Sequence, residues 1–330
     1  MAEILIVSLG STWGLRAADA ELAGALERAG ASVAVVAARP GREVRTLALT
    51  DLVWARAARA AAQRGIAEHR PRAVLYATVT AALLWPRPGA IRYDAPAAAN
   101  RPGRHGLWQR PLERRRLRAA PLLVPKAPGT LAESPTPHAP AVVVAIPVEP
   151  SGPAALRDIA AITYAANPEK KGLDRVLAAW AAARREGEEL VVTGTERVPR
   201  APGVRAAGPL EPAAYRALLR RARVFVTAPR REDYGVAQLE ALADGCLLVT
   251  TASPGPYAAL PLARDLDARL VTDDLAPALR AALDDPAPDY AERALQAIAP
   301  YRRDAVDTVV REALLPRLLS ADGAQRGRGA

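Results

Sequence analysis

Residues 224–251 read V-F-V-T-A-P-R-R-E-D-Y-G-V-A-Q-L-E-A-L-A-D-G-C-L-L-V-T-T, and this stretch decides the fold. Val224 to Thr227 is a β-branched and aromatic run of the kind that makes a buried strand. A short loop, 228–233, follows, and helical spacing begins near Tyr234. Gly245 stands where a left-handed C-cap would end that helix, and residues 247–251 are the next apolar run.

Two carboxylates, Glu232 and Glu240, bracket the start of the helix with seven residues between them. Counting from Val236, helical spacing predicts an inward face of positions 236, 239, 240 and 243, so Glu240 falls on the apolar stripe. An uncompensated charge there would cost several kcal/mol, so a polar partner is expected near the mouth of the sheet. Spacing alone leaves a boundary glutamate paired with one of the many arginines equally open.

The run E-D-Y-G-V-A-Q-L-E-A-L-A-D-G resembles the E-x7-E signature of the retaining glycosyltransferases of family 4, which have the GT-B fold: two Rossmann-like, doubly wound α/β domains facing across a cleft. The resemblance covers most of residues 159–260 and, more loosely, the N-terminal half. It implies that Glu240 binds the ribose of a nucleotide-sugar donor, and that Glu232 and the backbone amides of Asp233, Tyr234, Gly235 and Val236 hold the donor sugar and diphosphate. Lys170-Lys171-Gly172, ahead of the periodic run Leu173, Val176, Leu177 and Trp180, matches the family's K-G. Lys171 is then the cation on the donor diphosphate, at the positive end of a helix dipole. Near the N-terminus a strand, the loop Gly10-Ser11-Thr12-Trp13-Gly14 and a helix resemble the family's first phosphate loop, with Gly14 as the matching glycine. Asp94, at the end of the strand 91–93, corresponds to the His or Asp presented to the donor sugar; turn chemistry in Asp94-Ala95-Pro96 is the competing reading. The catalytic candidates are therefore Glu232, Lys171 and Asp94.

Three departures from the family pattern matter. Ala165 stands where the family has an arginine, Trp13 replaces the first glycine of the phosphate loop, and Ser253-Pro254-Gly255-Pro256 replaces a Gly-Gly turn. They favour an alternative, a non-catalytic GT-B relic that binds nucleotide sugars or serves as a subunit. A third reading is an unrelated Rossmann binding protein.

The 330 residues suffice for two domains with separate cores. Predicted strands and helices alternate from residue 4, including strands at 141–146 and 269–272, as in a parallel α/β sheet. The Pro- and Gly-rich run 147–153 reads as the linker. The expected organisation is an acceptor domain over 1–148, a donor domain over 149–300, and a C-terminal helix over 301–330 that crosses back to the first domain before a disordered tail from Ala321. No apolar run reaches the roughly 20 residues needed to span a bilayer, and no signal peptide is recognisable, so a cytoplasmic protein is expected. The single cysteine, Cys246, leaves no internal disulfide or multi-cysteine zinc site. No cofactor beyond the nucleotide-sugar donor, and no metal, is expected.

The net charge of +10 points to an anionic partner. Residues 101–118 hold seven arginines and one glutamate, with Pro111 able to start a helix that carries Leu112, Arg116 and Ala119 on one face. A solvated face and a surface for anionic lipid head groups compete there. Nucleic acid fits least, with no recognisable binding motif. The expected partners are the nucleotide-sugar donor, a glycan or lipid-linked acceptor, and an anionic membrane surface met by Arg101–Arg118. Lysine is confined to Lys126, Lys170 and Lys171.

Overall fold

A computed structural model of the chain describes residues 2–39, 44, 46–100 and 103–326. The chain divides into two compact units, residues 1–147 with 303–330, and residues 148–302.

The first unit is a five-stranded parallel sheet of β1 (Ile4–Ser8), β2 (Val33–Ala37), β3 (Ala73–Tyr76), β4 (Ala90–Tyr93) and β5 (Leu123–Pro125), ordered β2-β1-β3-β4-β5. β1 is buried on both faces, which is why it reads as a continuous apolar run rather than an alternating one. Ile4 and Ile6 pack on one side with Leu22 and Leu26, and with Val306, Val310, Leu314 and Leu318 of the returning C-terminal segment. Leu5 and Val7 pack on the other side with Ala55, Ala58, Ala61 and Ala62 of the helix Leu47–His69. The returning segment is also held by Arg28, which donates to both carboxylate oxygens of Asp307 at 2.6 and 2.8 Å.

The second unit has the same plan: β6 (Ile159–Tyr164), β7 (Leu190–Thr193), β8 (Val204–Gly208), β9 (Ala222–Thr227) and β10 (Leu247–Thr250), all parallel, ordered β10-β9-β6-β7-β8. Because β6, β9 and β10 are neighbours running the same way, the loops leaving their carboxyl ends are brought to one side of the sheet. That edge is where ligands of open α/β sheets bind. The connection into this unit is fixed by Asp244, which accepts from the Ser151 amide at 2.8 Å and the Ser151 hydroxyl at 2.9 Å. Arg216 ties the same carboxylate, at 2.7 Å, to the Glu149 carbonyl, at 2.8 Å.

Four local expectations change. Residues 141–146 form no strand of the sheet; they run beside β5 through one bridge, Leu123 to Ala141, and amide bonds from Val142 and Val144. Residues 269–272 likewise touch β10 by a single bridge after a short 3-10 turn, Ala268–Leu270. In the arginine-rich segment the helix is Gln109–Ala119, with Pro111 inside its first turn, where a missing amide is tolerated, and its buried side is Gln109, Glu113 and Leu117. The last helix runs from Leu315 to Arg326, into the expected tail, and residues 327–330 lie outside the described residues. Among the described residues no helix is long and apolar enough to cross a membrane.

Candidate functional site

Three loops of the second unit interlock, after β6 (165–172), β9 (228–235) and β10 (251–256). Gly172 has φ +63°, and a Cβ there would lie 1.9 Å from the Ala228 carbonyl oxygen, so only glycine lets these two loops meet. The Arg230 amide donates to the Lys170 carbonyl at 3.0 Å, and the Glu232 amide to the Pro254 carbonyl at 3.0 Å. Gly255 closes the third contact: a Cβ there would stand 2.2 Å from the Glu232 carbonyl oxygen. Gly255 is the glycine kept where the Gly-Gly turn is otherwise replaced.

This lock presents two helix N-termini together with a cluster of charge. The helices Leu173–Ala183 and Val236–Ala243 begin after Gly172 and Gly235, both left-handed, and neither N-terminus has a side-chain cap. The Leu173 amide already donates to the Pro168 carbonyl at 2.9 Å, so it is the first amides of the second helix and the positive dipole ends of both that suit an anion. Lys171 Nζ lies 2.6 Å from Glu232 Oε2, and Gln238 Nε2 donates to that same oxygen at 2.9 Å. Glu232 is 4% exposed, so the pair is screened little. Beside it, Lys170 and Arg231 both hold Asp233, each at 2.8 Å, and Arg230 holds Asp174 at 2.8 Å. Four cations thus face three carboxylates: Lys171, Arg231, Glu232 and Asp233 are largely out of solvent, whereas Lys170, Arg230 and Asp174 are exposed. The cluster is net positive, with Lys171 already engaged by Glu232.

Glu240 sits on the same helix, and here the helical count needs correction. The buried positions are Gln238, Leu239, Ala241, Leu242 and Ala243, whereas Val236 and Glu240 are half-buried. Glu240 therefore lies at the rim of the apolar stripe, in a recess beside Tyr164, Tyr215 and Arg216. Tyr164 and Tyr215 pack with ring centroids 5.6 Å apart. Arg216 approaches Glu240 with Nη1 at 3.5 Å but donates from Nε to Asp244 at 2.7 Å. Burial pushes the Glu240 carboxyl up to about 7; Arg216 pulls it down and Asp244 raises it further. The arginine pairing that spacing had left open is present, and it leaves the carboxyl incompletely compensated.

The predicted site residues thus fall into two groups. Lys171, Glu232, Asp233, Tyr234, Gly235 and Val236 share one loop cluster, with Glu240 one turn along the helix. Gly14 and Asp94 belong to the first unit. Gly14 is the second residue of the helix Trp13–Arg28, whose N-terminus is already capped by Thr12 Oγ1, accepting from the Leu15 amide at 3.2 Å. A Cβ on Gly14 would meet nothing within 4 Å, so no close backbone approach demands glycine there. Asp94 does more than form a turn: its carboxylate lies 3.5 Å from Lys126 Nζ, and its carbonyl accepts from Thr130 Oγ1 at 2.7 Å.

Sequence reading missed Gln238, Arg216, Asp244, Lys126, Gln109 and Glu113. Lys126 had a signal, as the third lysine of a chain that has almost none. Gln238 and Glu113 had none, because spacing along a helix does not reveal a partner in a preceding loop, Glu232 six positions back or the Ala97 amide sixteen back. In the arginine-rich segment, Arg116 donates to the Leu83 carbonyl at 2.9 Å and stacks over Trp85 at 4.7 Å, whereas Arg104, Arg114, Arg115 and Arg118 are exposed. Arg101 lies outside the described residues.

With this geometry in place, the comparisons are consistent. Residues 158–285 match the family model described as Glycosyl transferases group 1. No curated protein matches the sequence. A sucrose-phosphate synthase from Thermosynechococcus elongatus superposes with a TM-score of 0.75 at 14% identity, covering 96% of this chain and 98% of that one. WaaG, a glycosyltransferase involved in lipopolysaccharide biosynthesis, gives 0.68 at 15%, covering 93% and 99%. Anabaena HepE in complex with UDP and glucose gives 0.68 at 14%, covering 96% and 100%. The fold is that of the GT-B glycosyltransferases, and the second unit carries the group 1 glycosyltransferase match.

Proposed function

We propose that the protein is a retaining glycosyltransferase that moves a hexose-type sugar from a nucleotide-diphosphate donor to a glycan or lipid-linked acceptor of the cell envelope. The observation that carries this reading is the locked loop cluster of the second unit: two uncapped helix N-termini, Lys171 and a buried Glu232 within one group of hydrogen-bonded loops. The uncapped amides and Lys171 would stabilise the charge that grows on the leaving diphosphate, where preorganised donors act most strongly. Glu232, 2.6 Å from Lys171, would accept hydroxyl bonds from the sugar. Glu240 would accept from the ribose hydroxyls, since a carboxyl in a half-buried recess gains from donors that replace water. Asp94, beside Lys126, would be presented to a sugar, as the family resemblance implies.

No nucleophile is needed if the acceptor attacks the face from which the leaving group departs. HepE was crystallised with UDP and glucose, and WaaG belongs to lipopolysaccharide synthesis; these relatives in fold support the donor class and an envelope acceptor. The exposed Arg104, Arg114, Arg115 and Arg118 form the cationic face that would meet anionic lipid at the inner membrane surface. The departures at Ala165 and Trp13 remain the argument for a relic.

A thermal-shift screen over UDP, GDP, ADP, CMP and dTDP sugars, followed by detection of the released nucleotide and NMR of the product's anomeric proton, tests the proposal. Stabilisation by one donor and a product of unchanged anomeric configuration are expected. Binding without release identifies the relic, and an inverted product refutes retention.

A further inference from the structure

The recess around Glu240 in the second unit holds a buried hydroxyl, that of Tyr215 on the helix Pro212–Arg221. Tyr215 is 8% exposed, and solvent does not reach its oxygen. Among the described residues that hydroxyl has no hydrogen-bond partner. A phenylalanine would fill the same space without the desolvation cost of an unpaired polar group. Natural chains break such local rules chiefly at functional sites, where the group is used in another state.

The neighbours of the hydroxyl narrow its partner. Burial raises the Tyr215 phenol well above its ordinary value, and the nearby charge of Glu240 raises it further. Cys246, also close, donates its thiol proton to the Leu219 carbonyl at 3.2 Å, and its sulfur is a weak acceptor. Arg216 can only donate: its Nε is on Asp244 at 2.7 Å and its Nη2 on the Glu149 carbonyl at 2.8 Å. The Glu240 carboxylate is therefore the strongest acceptor within reach of the phenol. Arg216 Nη1 stands 3.5 Å from that carboxylate, longer than an ordinary hydrogen bond, and a quarter of the Glu240 side chain is open to solvent. The carboxylate is thus open to a ligand on one side, loosely held by an arginine, and beside a phenol that has nothing to donate to.

We propose that Tyr215 is the positioning residue of Glu240 in the nucleotide-bound state: ribose hydroxyls of the donor draw the carboxylate off Arg216, and the Tyr215 hydroxyl then donates to it and fixes its orientation. The inference rests on the nucleotide-sugar reading for the ribose at Glu240. UDP, GDP and ADP are titrated into the full chain at pH 8 by calorimetry. The tightest of the three is then measured with wild type, Tyr215→Phe, Glu240→Ala and the double variant, and thermal unfolding of each is recorded without nucleotide. Tyr215→Phe should unfold at the wild-type temperature or above it, because in the free chain the hydroxyl makes no bond to lose. It should weaken the nucleotide about tenfold, or about 1.4 kcal/mol, the size of one hydrogen bond. On the Glu240→Ala background the same substitution should leave affinity unchanged, since the partner of the hydroxyl is gone. A role confined to packing predicts the reverse, a lower unfolding temperature and no coupling to Glu240. Lower stability of the free Tyr215→Phe variant, undiminished affinity, or an equal loss with and without the Glu240 carboxylate would each overturn the proposal. If folded wild type binds none of the three nucleotides, the nucleotide-sugar reading fails and takes this inference with it. If wild type binds and Tyr215→Phe binds equally, only the role of Tyr215 fails.

Discussion

Replacing Glu240 by glutamine separates the chemistry of the donor helix from its stability. The carboxyl titrates at about 7 in the folded chain, against 4.5 as the ordinary value. A group whose folded pKa is raised holds its proton more tightly in the folded state. Its contribution to stability is therefore complete below about 4.5 and is lost as pH rises through about 7. At about 1.36 kcal/mol per pH unit, that difference sets an upper limit near 3 kcal/mol at pH 8. A quarter of the side chain reaches solvent, and glutamine gives up the ionic contact to Arg216, which together reduce the net gain. A net gain of about 1–2 kcal/mol is expected, or roughly 3–6 °C in Tm for a unit of this size. Thermal unfolding of wild type and Glu240→Gln between pH 4.5 and 8.5, without nucleotide, should show the variant more stable at pH 8 and the two converging at pH 4.5. With donor present the variant should chiefly raise KM, as loss of uniform binding does. A variant less stable at pH 8, or a difference that ignores pH, refutes the reasoning.

Two further predictions follow from the loop lock and the arginine face. Gly172→Ala should cost roughly 2–5 kcal/mol in urea unfolding, from its left-handed backbone and the clash with Ala228. Gly187→Ala, equally left-handed at φ +80° but facing open space, should cost only about 1–2 kcal/mol, and equal losses would remove the lock from the account. Serine at Arg104, Arg114 and Arg115 should weaken sedimentation with vesicles containing anionic phosphatidylglycerol, salt-sensitively since exposed charges are screened within about 10 Å at 0.1 M salt, while leaving the fold intact. Arg116 is kept, since it packs on Trp85, and binding indifferent to these substitutions would leave the face merely solvated.

The fold was legible because parallel strands buried on both faces announce themselves as short apolar runs, and Gly30, Gly172 and Gly245 punctuate them. The two runs that misled, 141–146 and 269–272, have strand composition, but each found only a single bridge at a sheet margin. At the site, Glu232, Lys171 and Gly172 could be named because they lie in one loop each and the family pattern fixes their spacing. Glu240 was placed on the wrong part of its helix, because a phase error of about one residue, roughly 100°, moves a residue from stripe to rim. Of the partners that set its chemistry, Asp244 caps the C-terminus of the same helix one turn on, whereas Arg216, in the middle of the helix Pro212–Arg221, is brought to them only by packing. Gln109 and Asp51, separated by 58 positions, are the same case in the first unit.

The central claim is that Lys171 stabilises the leaving diphosphate, and steady-state turnover of Lys171→Ala tests it most directly. Removing the lysine also leaves Glu232 buried without its cation, so the double variant Lys171→Ala, Glu232→Gln is measured beside it and Tm is recorded for both. In folded protein at saturating donor, Lys171→Ala should lower kcat by about two to three powers of ten, the size of one preorganised electrostatic donor. Lysine at 171 should not be replaced fully by arginine, whose planar fork does not act as a point charge. A folded Lys171→Ala variant with wild-type kcat would contradict the account.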